Sequence, residues 1–408
     1  MKILIINTYS HTGGAAIAAT RLANALNEAG AQAIVVGEGA ITNRCCKKLK
    51  FLWERVVIWA ANLFSRKNLF TVSIANTGLD ITRLPAFKEA DVINLHWVNQ
   101  GMLSLKDIEK ILQSGKPVVW TMHDMWPFTG ICHHAHTCEA YTTGCGNCPQ
   151  LRLPCRRDLS RLIFAEKEKR YARAKINFVA VSNWLASKAK ESPLLKDNTL
   201  CVIPNTLSLA NFKILERDEC RKALHLPTDK KIILFGAARI DEPIKGFDTL
   251  LNAIHHLIES GTFERDELHL LTFGRFKYPE HILHRIPVTH TNAGFVSGDT
   301  LSQLYSAADV TVSASRYETF GQTLIEAQAC GCIPVSFGNS GQADIISHKV
   351  NGFLADYLSV PSLAEGIRWA LTEGGTAIDK ASLRQSVIER YSGEVVAQQY
   401  INLYKSIL

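Results

Sequence analysis

Two carboxylates, Glu318 and Glu326, punctuate the stretch Ser315-Arg316-Tyr317-Glu318-Thr319-Phe320-Gly321-Gln322-Thr323-Leu324-Ile325-Glu326. The first falls in a glycine-containing loop and the second on the helix that this loop opens. Ionised carboxylates only accept hydrogen bonds, so the pair suits the hydroxyls of a sugar and a ribose. The amides of Thr319, Phe320 and Gly321 can hold an anion or a sugar hydroxyl. Upstream, Arg239 ends an apolar run, Lys245-Gly246 follows, and a helix begins near Phe247. A phosphate placed there meets helix N-terminal amides, the positive end of the helix dipole and two cations. Taken singly, Glu326 can equally cap a structural network and Glu318 can be a solvated loop acid. In the first half, Gly13-Gly14 opens a helix after the first apolar run, where a plain turn is the simpler alternative. His123-Asp124 ends another such run, and a histidine so placed is either structural or aimed into a site.

A second kind of chemistry lies in Cys132–Arg157, which holds five cysteines and three histidines without periodicity. Cys132-x5-Cys138-x6-Cys145-x2-Cys148 offers four soft ligands, the last pair at knuckle spacing for zinc. Four thiolates would close a tetrahedron and make the metal structural. His133, His134 and His136 are substitute ligands and Cys155 is a spare. The alternative is a set of buried thiols or a disulfide pair.

The elements that must position these residues alternate between short β-branched runs and amphipathic stretches. Strands are expected at 2–7, 31–37, 91–97, 117–124, 176–182 and 199–205, then at 231–239, 267–274, 288–296, 309–315, 333–338 and 352–356. Continuous apolar character marks strands covered on both faces, as in parallel sheets. The βαβ rhythm runs twice, with a seam near Pro204–Asp218. Length agrees, since 408 residues suit two domains of roughly 200. The expected architecture is α/β, two Rossmann-like doubly wound domains facing a central cleft, each binding ligand at its strands' carboxyl ends. The domains are read as 1–205, with the cysteine-rich insertion at 132–157, and 206–390. The last stretch, 391–408, is read as a helix returning to the first domain.

With Arg239, Lys245, Glu318 and Glu326 in place, the chain resembles the retaining GT-B glycosyltransferases marked by Glu-x7-Glu, the family 4-like group 1. The segments ETFGQTLIEAQACGCIPV and GAARIDEPIKGFDTLLNA carry that resemblance. It implies that Arg239 and Lys245 bind the donor pyrophosphate, that Glu318 and the amides after it bind the donor sugar, and that Glu326 binds the ribose. It implies further that the Gly13-Gly14 loop approaches the phosphates and that His123 contacts the sugar near its reacting carbon. The stretch HDMWPFTGICHH…CEAYTTGCGNCPQL is similar to a subgroup of bacterial exopolysaccharide and colanic-acid-type glycosyltransferases. A nucleotide-sugar donor and a saccharide or lipid-linked acceptor of cell-surface polysaccharide synthesis are then expected. One departure stands out. After Pro204-Asn205 the family continues Gly-Ile/Val-Asp, whereas this chain has Thr206-Leu207-Ser208.

No two aspartates form Asp-x-Asp, so cations and a helix dipole are expected to stabilise the leaving diphosphate without a catalytic metal. A rival is a non-catalytic GT-B protein that only binds sugar nucleotide, against which the four intact residues argue. A phosphorylase would need a pyridoxal-phosphate lysine that the sequence does not identify. Eleven cysteines and no secretory pattern lead to the expectation of a reducing, cytoplasmic setting. Charge is concentrated: between Asn43 and Asn68, Arg44, Lys47, Lys48, Lys50, Arg55, Arg66 and Lys67 face only Glu54, giving +6 of the chain's +7. With Phe51, Leu52, Trp53 and Trp59, residues 44–67 form a basic amphipathic helix. It either lies on an anionic membrane, on the inner face of the cytoplasmic membrane, or packs on the first domain. Tryptophans embedded in an apolar run argue against nucleic acid.

Overall fold

In a computed structural model, the structure describes residues 1–9, 13–41 and 44–408, the side chains of residues 38 and 44–47 excepted. The chain divides into two compact units, Met1–Thr206 with Gly393–Leu408, and Leu207–Ser392. Each unit is built on one six-stranded parallel sheet.

The first sheet comprises β1 (Lys2–Ile6), β2 (Gln32–Val36), β3 (Val92–Leu95), β4 (Val118–Met122), β5 (Asn177–Ala180) and β6 (Thr199–Val202), in the order β2-β1-β3-β4-β5-β6. β3, β4 and β5 are buried at every position. That is why they read as largely apolar runs, interrupted only by Asn94, Thr121 and Asn177. Three helices of this unit matter below: α1 (Gly14–Glu28), α2 (Arg44–Ala61) and α3 (Leu159–Tyr171).

The second sheet comprises β7 (Lys231–Arg239), β8 (Leu268–Arg275), β9 (Thr289–Asn292), β10 (Val310–Ser313), β11 (Ile333–Phe337) and β12 (Phe353–Ala355). Their order is β12-β11-β10-β7-β8-β9. Helices α4 (Phe247–Glu259) and α5 (Gln322–Ala329) follow β7 and β10. Each of the twelve expected strands has its counterpart, and the doubly wound α/β class expected from the sequence is the one observed.

The last helix, α6 (Gly393–Ile407), belongs to the first unit. Val396, Ala397, Tyr400 and Tyr404 sink into one core with Leu22 and Leu26 of α1. Alanines 19, 23 and 25 keep the α1 face low enough for that approach. Burial of each large side chain contributes about 1.5–3 kcal/mol. The two phenols are satisfied as they are buried: Asn94 Nδ2 donates to Tyr404 Oη at 2.8 Å, and Thr121 Oγ1 lies 3.0 Å from Tyr400 Oη.

Helix α2 packs the opposite way from an ordinary surface helix. Its inward side carries Glu54, Arg55, Ile58 and, one turn on, Asn62. Glu54 Oε1 accepts from the amides of Ile74 and Ala75 at 2.8 and 2.9 Å, and Glu54 Oε2 pairs with Arg55 Nη2 at 2.7 Å. Arg55 Nη1 donates to the carbonyls of Leu69 and Val72. Leu49, Leu52, Trp53, Val56 and Trp59 are therefore left facing outward, with Trp53 59% and Trp59 36% exposed.

Candidate active site

In the second sheet the winding direction reverses between β7 and β10, since β7-β8-β9 runs one way and β10-β11-β12 the other. Such a switch point opens a crevice at the strands' carboxyl ends. The loops there are those after β7 and β10, and they hold the residues that the sequence picked out. Lys245 Nζ lies 2.9 Å from Glu318 Oε2, both part-buried. The Glu318 carboxylate raises the Lys245 ammonium above its ordinary value, outweighing burial, so the cation is fixed as a cation. Gly246, at φ 71°, caps α4; a Cβ there would stand 1.9 Å from the carbonyl of Ala314. The two loops are thus in backbone contact, and Arg316 N donates to Ile244 O at 2.8 Å.

Gly321, at φ 110°, precedes α5 and turns its first amides toward the loop. Glu318 N donates to Ser340 Oγ at 3.2 Å, and Gly341 N donates to Glu318 O at 2.9 Å. The Phe320 ring is buried edge-on against Tyr391, which leaves only its backbone for ligand contact, while Thr319 is part-buried. Glu326 is buried one helical turn inside α5 and accepts from Tyr305 Oη at 3.2 Å. Arg239 is turned elsewhere: Nη2 pairs with Glu242 at 2.8 Å and Nε with Asp241 at 3.6 Å. The unit therefore joins Lys245 to Glu318 but does not bring Arg239 to them.

In the first unit the carboxyl ends of neighbouring β3 and β4 bring two histidines together. His96 Nδ1 lies 2.8 Å from His123 Nε2. Asp124 accepts from Trp97 Nε1 at 2.7 Å and from Trp126 N at 2.8 Å, and it meets His133 Nδ1 at 2.6 Å. His133 Nε2 in turn reaches Ser73 Oγ at 3.0 Å. Burial alone would raise the Asp124 carboxyl, yet His133, by charge and hydrogen bond, brings it down to about 2. Gly13, at φ 91°, begins α1, whose first turn carries no acid. Sequence reasoning missed His96, Trp97 and the role of His133. The available signal was that His96 and His123 each stand just past the end of adjacent strands. Cys132, Cys138, Cys145 and Cys148 line a small cavity of their own.

Burial pushes His123 down to about 4, against the pull of Asp124, and pushes His96 well below its ordinary value. Both are neutral at pH 7, whereas in the unfolded chain they titrate near about 6.5. Between those values the unfolded chain binds more protons, so acid favours unfolding. For His123 this contribution is whole above about pH 6.5 and is lost as pH falls toward about 4, at no more than about 1.4 kcal/mol per pH unit; His96 acts in the same sense. The stabilisation from Asp124 persists until pH falls below about 4 and through about 2. Urea midpoints of His123→Gln are expected to fall less steeply than those of the native chain between pH 6.5 and 4. Parallel slopes would show that His123 is not held neutral.

Residues 216–390 match the family Glycosyl transferases group 1, and residues 12–210 match Glycosyltransferase Family 4. The chain is 28% identical to an uncharacterized glycosyltransferase of Methanocaldococcus jannaschii over 83% of its own length and 90% of that protein. It is 25% identical to the Escherichia coli glycosyl transferase WcaC, named for colanic acid biosynthesis, over 78% of its length and 76% of that protein. Among solved structures, a sucrose-phosphate synthase of Thermosynechococcus elongatus aligns at a TM-score of 0.69, with 19% identity and 99% and 98% coverage. HepE of Anabaena, solved with UDP and glucose, aligns at 0.67, with 17% identity over the whole of both chains. The fold is therefore that of the GT-B glycosyltransferases. The chain is itself a glycosyltransferase, its first half similar to family 4 and its second half to group 1.

Proposed function

We propose that this enzyme transfers a sugar from a nucleoside-diphosphate donor, with retention at the anomeric carbon, to a saccharide or lipid-linked saccharide at an anionic membrane surface. The observation that carries the donor half is the Lys245–Glu318 pair at the switch point of the second sheet. In this reading the ammonium and the α4 N-terminus take the diphosphate, Glu318 accepts from sugar hydroxyls, and Glu326 accepts from the ribose. Arg239 leaves Glu242 to join the phosphates. The C1–phosphate-oxygen bond breaks, the acceptor oxygen bonds C1 on the same face, and the acceptor's proton passes to the leaving phosphate. Growing negative charge on the leaving group is met by Lys245, without a metal on Asp-x-Asp. His123 contacts the sugar. UDP-glucose is the first donor to test, because HepE was solved with it. Cell-surface polysaccharide synthesis is the favoured setting, given the name that WcaC carries.

The acceptor half rests on α2. Leu49, Leu52, Trp53, Val56 and Trp59 form one exposed apolar stripe, extended by Leu63 and Phe64. Exposed Lys48, Arg66 and Lys67 flank it. Apolar contact plus flanking cations is what an anionic bilayer interface selects. Arg44 and Lys47 belong to the same expectation, but their side chains lie outside the described ones. Lys50 does not serve it: its Nζ donates to Gly78 O at 2.6 Å. Among the described residues no helix is long and apolar enough to cross a membrane.

Binding to anionic vesicles is expected to weaken with salt. It should be nearly lost in a Lys48→Glu/Arg66→Glu/Lys67→Glu variant, because each cation near such a surface contributes about 1 kcal/mol. UDP-glucose hydrolysis should survive in that variant, and transfer to a lipid-linked acceptor in vesicles should not. Salt-independent vesicle binding, or dimerisation through Trp53 and Trp59 without vesicle binding, would overturn the membrane assignment. A panel of nucleotide sugars giving neither hydrolysis nor transfer would overturn the donor assignment.

A further inference from the structure

The segment 132–157 contains four cysteines whose side chains the fold gathers from well-separated positions. Cys132, Cys138, Cys145 and Cys148 line one cavity of about 20 Å³, together with Ile131, Tyr141 and a few small residues. Space of that size holds about one water, but a water needs two to four polar partners, which a wall of sulfur and carbon does not supply. Sulfur from four directions is instead the chemistry of a soft tetrahedral cation.

The knuckle is held in a costly backbone shape. Gly144, Cys145, Gly146 and Asn147 are four successive residues at positive φ: 101°, 62°, 108° and 49°. For Cys145 this conformation is disfavoured, and it persists only where the surroundings impose it. Part of that imposition is visible. Gly146 N donates to Ser160 Oγ at 3.0 Å, Asn147 N donates to Cys155 O at 2.8 Å, and Cys148 N donates to Asp158 Oδ2 at 2.7 Å. Asp158 also caps α3, through the amides of Ser160 and Arg161. The Cys145 sulfur already accepts from Gly130 N at 3.3 Å, the kind of amide contact that supports a thiolate.

A third observation concerns charge. Lys167 of α3 is wholly buried, with Nζ donating to the carbonyls of Trp126 and Thr129 and lying 3.4 Å from the centre of the Trp126 ring. Among the described residues it has no carboxylate ion-pair partner. Burial disfavours a charged ammonium unless an anion lies near it, and four thiolates around a divalent ion form one of net charge −2.

We propose that Cys132, Cys138, Cys145 and Cys148 bind one structural zinc ion that locks residues 132–148 onto the N-terminus of α3, with Lys167 offsetting part of its charge. As they stand, no three His, Cys, Asp or Glu side chains among the described residues form a closed metal site, so binding requires the sulfurs to move inward. A step between staggered χ1 wells carries a cysteine sulfur about 3 Å, enough to reach the roughly 2.3 Å zinc–sulfur distance from the walls of so small a cavity. The ion displaces the thiol protons as it binds, so four bonds to sulfur form and up to four protons leave.

The full chain, purified under reducing conditions, is expected to contain about one zinc per molecule. After exchange with cobalt(II) it should show the strong absorption of a tetrahedral cobalt–thiolate centre. Cys138→Ser and Cys148→Ser should each lower the zinc content at least tenfold, whereas Cys155→Ser, at an exposed position, should leave it unchanged. Where a single variant fails to fold, the native chain still decides the matter. Treatment with a strong chelator should lower its melting temperature, and added zinc should restore it. Protein without zinc, a cobalt spectrum without sulfur-to-metal bands, a disulfide between two of the four cysteines, or equal zinc in Cys148→Ser would each overturn the proposal.

Discussion

Lys245→Ala is expected to lower kcat by about 10²–10³-fold, the scale on which a donor aimed at developing charge acts, while changing the KM for the donor far less. Lys245 and Glu318 are part-exposed, so breaking their 2.9 Å pair should cost no more than about 1 kcal/mol of stability. A large loss of turnover without a matching loss of melting temperature therefore identifies a chemical role. Glu326→Ala should behave in the opposite sense. It removes an acceptor for hydroxyls present in ground and transition states alike, so KM should rise by roughly 10- to 100-fold for the 1.5–3 kcal/mol of a charged hydrogen bond. Glu326 is buried against Tyr305, which makes Glu326→Gln the safer variant for separating fold from binding. Steady-state kinetics with a nucleotide sugar decides the matter. Native kcat in Lys245→Ala, or native KM in both Glu326 variants, would remove these residues from the donor site.

The strands were readable because parallel sheets covered on both faces favour near-continuous apolar runs, and β3, β4 and β5 are buried at every position. Edge strands β6 and β9 are only half-covered; Leu200 to Val202 kept enough apolar character to show, whereas β9 is Thr-His-Thr-Asn and was marked only by its β-branched threonines and the Val288 before them. Loop residues 239–246 and 315–321 were found through motif spacing, and the switch point between β7 and β10 explains why those two loops meet. The orientation of α2 was not readable. Its pattern separates a polar from an apolar side, but which one faces inward is decided by the amides of Ile74 and Ala75 and the carbonyls of Leu69 and Val72, contacts made at a distance along the chain. His96 was invisible for a similar reason. It is separated from His123 by twenty-seven positions, and only the pairing of Leu95 with Trp120 in adjacent strands sets the two strand ends side by side.

That histidine pair carries the second large expectation. One proton lies between His96 Nδ1 and His123 Nε2, 2.8 Å apart, and both rings are neutral at pH 7. If His123 donated it, His96 would carry its own proton on Nε2, which is buried without a hydrogen-bond partner among the described residues. A buried donor without an acceptor is the costlier arrangement. His96 Nδ1–H therefore donates, His123 Nε2 accepts, and the proton of His123 sits on Nδ1. His96 is a positioning residue that fixes the tautomer of His123 and opposes its protonation. His96→Leu should lower kcat about tenfold or more, since about 1.4 kcal/mol of oriented hydrogen bonding is a factor of ten in rate. It should also move the acid limb of the kcat/KM profile toward neutral pH, because a released Nε2 takes up a proton more readily. His96→Gln, whose amide N–H can donate to the same atom, should restore much of the rate and return the acid limb toward its native place. A merely structural His96 would lower melting temperature in both variants and leave the pH profile where it was.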